Sequence, residues 1–326
     1  MTGRTKHREQ KRDTSSQSGI ALMLVLWVLT ILMVIVFSFS FMARTETYAT
    51  LSFKGGIERK FIAEAGIERG IMELFFRQAF KQQTVELEGL GVWKADGTPY
   101  QGQMGDGYYT VRITDESGKV DINQVSDVVL KNLFVNAGIQ AETADSIVDA
   151  IMDWKDPDDL TRLHGAESDY YMSLQNPYKA KNADFDTLEE LLLVKGVTSD
   201  ILYGSNEKKG LIDYLTVHSK TEFININAAP RDILIAIPGM SPETADAIIN
   251  YRESKEILDI HEVQGILGSN YAIMDPYIDA EDTNTYTIVA SGMKNNEKGS
   301  YTIKATVLIS DNKHHYLYYK SPATIK

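Results

Sequence analysis

The sequence predicts an α+β protein: a long N-terminal helix, an antiparallel sheet built from segments far apart in the chain, and a large all-helical insertion between those segments. Three observations predict it. Ile20 to Ala43 carry no charge, and apolar residues at helical spacing follow. Alternating apolar residues mark strands near 109–113 and again after 286. Between them, residues 124–274 read as helical and contain an internal repeat. The predicted division is a leader at 1–19, a helix at 20–80 whose residues 20–43 span a membrane, a sheet-bearing domain at 81–123 and 275–326, and an inserted helical domain at 124–274.

The chain opens on a polar, basic stretch, with Arg4, Lys6, Arg8, Lys11 and Arg12 against Glu9 and Asp13. The uncharged run that follows is 24 residues long, and a helix needs roughly 20 to cross the hydrocarbon core of a bilayer. Cationic residues ahead of the run favour an N-terminus on the cytoplasmic side and a translocated remainder. A plain signal anchor satisfies these facts. A cleaved signal peptide fits worse, because its apolar core is shorter and ends in a small-residue cleavage site.

Beyond the anchor, Phe61, Ile62, Ala65, Ile67, Ile71, Leu74 and Phe75 recur at helical spacing and predict that the second half of the helix packs on the sheet. Gly55 and Gly56 are a candidate weak point. The run from Gly89 to Gly107 reads as loop and turn. Tyr109, Val111 and Ile113 mark a strand, and Glu116 to Lys119 turn the chain into Val120–Asn123. Further strands are expected at 286–290, 301–309 and 316–319.

The helical part repeats itself. Ile122-Asn123 followed by Gly138 to Asp149 matches Ile226-Asn227 followed by Gly239 to Asn250, and Leu191 to Val197 is a weaker relative. The second copy resembles helix-hairpin-helix motifs, with Asn227 to Pro230 starting one helix and Ile237 to Met240 making the hairpin. In DNA-binding versions the hairpin presents backbone N–H groups to phosphate through a glycine–apolar–glycine turn. Here the third place is Ser241 in one copy and Gln140 in the other, and the following helices carry Glu142, Asp145, Asp149, Glu243 and Asp246. Net charge is −12, whereas affinity for nucleic acid comes mainly from cations on phosphate. The repeat is therefore expected to be a packing unit for helices.

The densest acidic run is Asp153, Asp156, Asp158 and Asp159, followed by Glu167 and Asp169, in a loop with Pro157 and Gly165. Oxygen donors without cysteine, and with only His164 nearby, suit calcium better than zinc. The spacing is not that of an EF-hand, and a solvated acidic loop explains the composition equally well. With no cysteine in the chain, thiolate sites and disulfides are excluded. The sequence contains no GxSxG or HExxH motif, and His218, His261, His314 and His315 have no patterned catalytic partner.

Gly19 at the junction of basic leader and apolar helix, and the stretch Phe61 to Gly70, resemble the type IV pilin and pseudopilin class. Within it the chain is most similar to the minor K-type pseudopilins of type II secretion. That resemblance implies a pilin-like fold, a long helix on an antiparallel sheet. It also implies cleavage between Gly19 and Ile20 by a prepilin peptidase, followed by methylation of the Ile20 amine. Two positions depart from the common pilin pattern: Ile20 stands where phenylalanine is usual, and Leu24 where most pilins carry a glutamate. That carboxylate compensates a neighbour's terminal amine in hydrocarbon. A subunit without it is placed at the top of a filament, and the K-type subunits share this exception.

The run from Asp153 to Tyr171, with Asn182, Phe185 and Leu188 to Leu191, is similar to the calcium-binding segment of K-type subunits. The resemblance thus implies calcium on Asp153, Asp156, Asp158, Asp159, Glu167 and Asp169. It further implies I- and J-type minor pseudopilins and the inner-membrane assembly platform as partners, with the head in the periplasm and no enzymatic activity. Cleavage of the leader removes five basic and two acidic groups and takes the charge from −12 to −15. The other readings are a minor pilin of a type IV pilus, a membrane-anchored DNA receptor of the competence type, and an anchored enzyme.

Overall fold

The computed structural model describes residues 15–80, 93–205, 208–295 and 297–324; residues 1–14 of the expected leader and the first part of the Gly89–Gly107 run lie outside them. Two compact units divide the chain, one ending at Glu58 and one beginning at Arg59.

Helix α1 (Ser15–Phe80) is unbroken, including at Gly55 and Gly56. In its first unit the apolar side chains from Ile20 to Met42 are exposed, and among the described residues this is the helix long and apolar enough to cross a membrane. In the second unit Ala63, Ile67, Ile71 and Leu74, spaced by four, four and three, form one buried face. Phe61, expected on that face, points to solvent and is 57% exposed, while Phe75 is only partly buried.

That face meets a five-stranded antiparallel sheet of β1 (Asp96–Met104), β2 (Gly107–Asp115), β7 (Thr285–Lys294), β8 (Tyr301–Ser310) and β9 (Lys313–Lys320), in the order β1-β2-β7-β8-β9. Because side chains alternate along a strand, Val111 and Ile113 of β2, Ile288 and Ala290 of β7, and Ile303, Ala305, Val307 and Ile309 of β8 share the helix side. The register pairs Val111 with Ala290 and Ile288 with Ala305. Gly66 and Gly70 allow the close approach: a Cβ on either would lie 3.0 Å from Ala290 or Ile288. Strand β1 corrects the reading of 89–107 as loop. Its Gly97, Pro99 and Gly102 are tolerated because β1 is an edge strand, which leaves one row of backbone groups unpaired.

Between β2 and β7 the chain folds around its own apolar core. It begins with β3 (Val120–Asp121), α2 (Asp127–Asn136), α3 (Ala141–Lys155), α4 (Ser168–Met172) and α5 (Ser199–Tyr203), and closes with β4 (Leu215–Thr216). It then runs through β5 (Ile224–Asn225), α6 (Arg231–Leu234), α7 (Pro242–Ser254), α8 (Gln264–Leu267), α9 (Tyr271–Met274) and β6 (Ile278–Asp279). Each half is clasped by a short parallel ladder, β3 with β4 and β5 with β6.

The sequence repeat is a structural one. Both halves pass from ladder to helix through an asparagine whose side chain bridges distant backbone. Asn123 donates to Phe185 O and accepts from Phe185 N, and Asn227 does the same with Ile257 O and Ile257 N. Lys155 and Arg252 each reach back to two carbonyls of the respective turn. Both hairpins turn on a glycine of positive φ, Gly138 at +90° and Gly239 at +83°.

Candidate metal centre

Helix α3 ends by carrying the buried Asp153 and Trp154 into a loop that runs to Thr187. The loop is pinned from within by aromatic packing. Trp154 meets Tyr171 edge-on at 5.2 Å and lies near Tyr178 and Phe185. Asn182, in a left-handed conformation, donates its backbone N–H to Trp154 O. Lys195 clamps the other side, with Nζ 2.9 Å from Gly165 O and 3.1 Å from His164 O. Gly165 must lack a side chain, because a Cβ there would lie 1.9 Å from Asp153 Oδ2.

Within this frame Asp156, Asp158 and Glu167 bring one carboxylate oxygen each to within 4.8 Å of the others. That span is about twice a calcium–oxygen bond, so a single ion reaches all three. Glu167 is 3% exposed, and neither of its oxygens has a hydrogen-bond partner; Asp156 Oδ1 and Asn182 Oδ1 are likewise buried and unpartnered. Burial, and after it the charges of Asp153, Asp156, Asp159 and Asp158, push the Glu167 carboxyl up to about 7. Buried oxygens without donors, crowded by like charge, fit a hard cation with oxygen ligands.

The other expected ligands stand apart from this group. Asp153 is fully buried, and its carboxylate is taken up by Arg162. Asp159 is exposed, 3.5 Å from Asn182 Nδ2, and Asp169 is exposed in the first turn of α4. Sequence reasoning placed Gly165 in the acidic loop but did not single out Arg162 or Lys195 as parts of the site. Of these two only Arg162 left a signal, as the one arginine inside the acidic run.

Elsewhere, Gly19 and Ile20 lie exposed within α1. In the second hairpin the Ser241 hydroxyl caps α7 by accepting from Thr244 N, and Arg231 is paired with Asp246 at 2.6 Å. The polar groups there are engaged by the fold itself.

Residues 111–203, which hold the whole carboxylate loop, match the family described as "Type II secretion system (T2SS), protein K". Over 229 residues, 65% of the chain, it is 27% identical to a protein K of Escherichia coli strain K12, and over 155 residues, 45% of the chain, 29% identical to the type II secretion system protein K of Pectobacterium carotovorum. The protein K of Klebsiella pneumoniae matches more of the chain, at 23% identity over 283 residues, or 82% of each protein. The matched stretches span 66% and 44% of the first two relatives. In fold, the chain is similar to a chain of the crystal structure of the GspK–GspI–GspJ complex of the enterotoxigenic Escherichia coli type 2 secretion system. There the TM-score is 0.62 at 15% identity, covering 86% of this chain and all of that one.

Proposed function

We propose that the chain is a minor pseudopilin of a type II secretion pseudopilus, that it caps the tip of the fibre, and that its role is structural. The observation that carries this is one chain combining three parts. A membrane-length helix without an acidic residue from Ile20 to Ala43 leads into a helix-on-sheet head, and the protein K segment runs from β2 into the insertion between β2 and β7 of that head. Lacking a carboxylate at Leu24, the helix has nothing to compensate the terminal amine of a subunit above it, since an unpaired charge in hydrocarbon is costly. The bulk of the insertion adds a steric stop.

On this reading the chain is an inner-membrane, single-pass protein with a cytoplasmic N-terminus and a periplasmic head. A prepilin peptidase cuts after Gly19, and Ile20 is methylated. Its neighbours are I- and J-type minor pseudopilins, as GspI and GspJ accompany GspK in the similar complex, and the inner-membrane assembly platform. Asp156, Asp158 and Glu167 hold calcium, with Asn182 Oδ1 within the same loop as a further oxygen donor. A bound ion would supply positive charge to the buried, unpartnered oxygens of Glu167 and Asp156, with the exposed Asp158 completing the carboxylate set.

The test is to co-express the full chain with a prepilin peptidase and the I- and J-type subunits in membranes, then purify it in detergent. The expected result is a chain beginning at methylated Ile20 that co-purifies with both subunits. An intact leader beside an active peptidase, or a processed chain that captures neither subunit, counts against the proposal.

A further inference from the structure

The carboxylate loop contains its own cation. Arg162 Nη1 lies 2.9 Å from Asp153 Oδ1 and 2.7 Å from Asp156 Oδ2, and the Arg162 backbone N–H donates to both oxygens of Asp153 at 3.2–3.3 Å. Asp153 is thereby satisfied as well as fully buried, and it backs directly onto Gly165. Asp156 is divided, with Oδ2 on the guanidinium and Oδ1 buried without a partner. Glu167, 3% exposed and with both oxygens unpartnered, receives nothing from Arg162. The Arg162 charge thus serves Asp153 and one oxygen of Asp156, while Asp156 Oδ1 and both Glu167 oxygens, in the group with Asp158, keep no partner.

We propose that Arg162 is a resident counter-ion of the metal loop. It holds Asp153 and one oxygen of Asp156 away from the ion, keeps the loop closed before calcium arrives, and in doing so sets a weaker calcium affinity than the carboxylates alone would give. The proposal rests on the calcium reading above.

Two effects of opposite sign follow from the geometry. A guanidinium sharing a carboxylate with a dication repels that ion, so removing its charge tightens binding. The same guanidinium joins the end of α3 to the middle of the loop, and without it Asp153 is a buried carboxylate facing other carboxylates, so the metal-free protein loses stability. A residue that merely packed the loop would lower stability and affinity together. Arg162 is a positioning residue, since it acts on the ion through Asp156.

The experiment is calorimetric titration of calcium chloride into the full chain in detergent, with thermal unfolding of the metal-free and loaded forms, for wild type, Arg162→Gln and Arg162→Lys. Expected are about tenfold tighter binding and a lower metal-free unfolding midpoint for the glutamine variant, and an affinity within about twofold of wild type for lysine, which keeps the charge. Saturable binding by wild type with equal or weaker binding by a folded Arg162→Gln overturns the role of Arg162 and leaves the calcium reading intact. Absence of saturable binding in wild type overturns both. Should the glutamine chain not fold, the lysine variant decides: a tenfold change in its affinity overturns the role.

Discussion

Asp115, at the end of β2, is 4% exposed, and its Oδ1 accepts from Ser117 N at 2.9 Å and Ser117 Oγ at 2.6 Å. Its other oxygen accepts from Asn225 Nδ2, at 3.3 Å. Burial pushes its carboxyl up to about 7, from 3.8 for a free aspartate, and the charge of Asp282 adds to this. The folded state therefore binds the proton more tightly than the unfolded chain, so the stabilisation is complete below about pH 4 and is lost as pH rises through about 7. Relative to Asp115→Asn, wild-type stability is expected to fall by about 2–4 kcal/mol between pH 4 and pH 8; parallel denaturation profiles for the two proteins would contradict this. Asp115 carried no sequence signal, because burial is set by the packing of Ala95, Asn225 and Tyr286 around it rather than by its neighbours in the chain. Glu116 beside it shows the converse. Burial raises that carboxyl, but the charge and hydrogen bond of Lys119, at 2.6 Å, and hydrogen bonds from Thr216 and Thr287 leave it below the ordinary value.

Elements tell the same story with a different balance. The alternation at Val111 and Ile113 and the spacing of Ile67, Ile71 and Leu74 were legible because periodicity reports which face is covered. Phe61 was misplaced because period alone does not locate the edge of a buried stripe, and Ala63 and Gly66 turn that face toward the sheet instead. β1 was missed because an edge strand tolerates the glycine and proline that signal a loop elsewhere. The two parallel ladders, at two residue pairs each, were beyond any local pattern, since their partners lie about 95 and 54 residues apart. The helix–sheet contact is tightest at the glycines. Gly66→Leu is expected to lower head stability by about 1–3 kcal/mol through overpacking against Ala290 and Val111, with Met72→Leu, on the exposed side of α1, as the neutral control. Equal unfolding midpoints for the two variants would show that the helix does not rest on the sheet in this register.

At the scale of the molecule, one apolar cluster lies between α1 and the five-stranded sheet, and a second fills the insertion. On the proposed calcium reading, an ion bound only by the native state would stabilise it by about 2.7 kcal/mol when free calcium is a hundredfold above the dissociation constant. Adding a chelator to the loaded full chain is expected to lower its unfolding midpoint by several degrees, and Glu167→Gln is expected to abolish that difference while leaving a folded head. A chelator effect of the same size in Glu167→Gln would place the ion elsewhere. Local composition and spacing were enough to read a helix of membrane-spanning length, the helix-on-sheet architecture and the acidic character of the loop, because length, charge and periodicity act between near neighbours. Which carboxylates converge, that Arg162 occupies Asp153, and that Asp115 is driven toward neutrality emerged only with packing, because burial and charge proximity arise between residues the chain brings together from a distance.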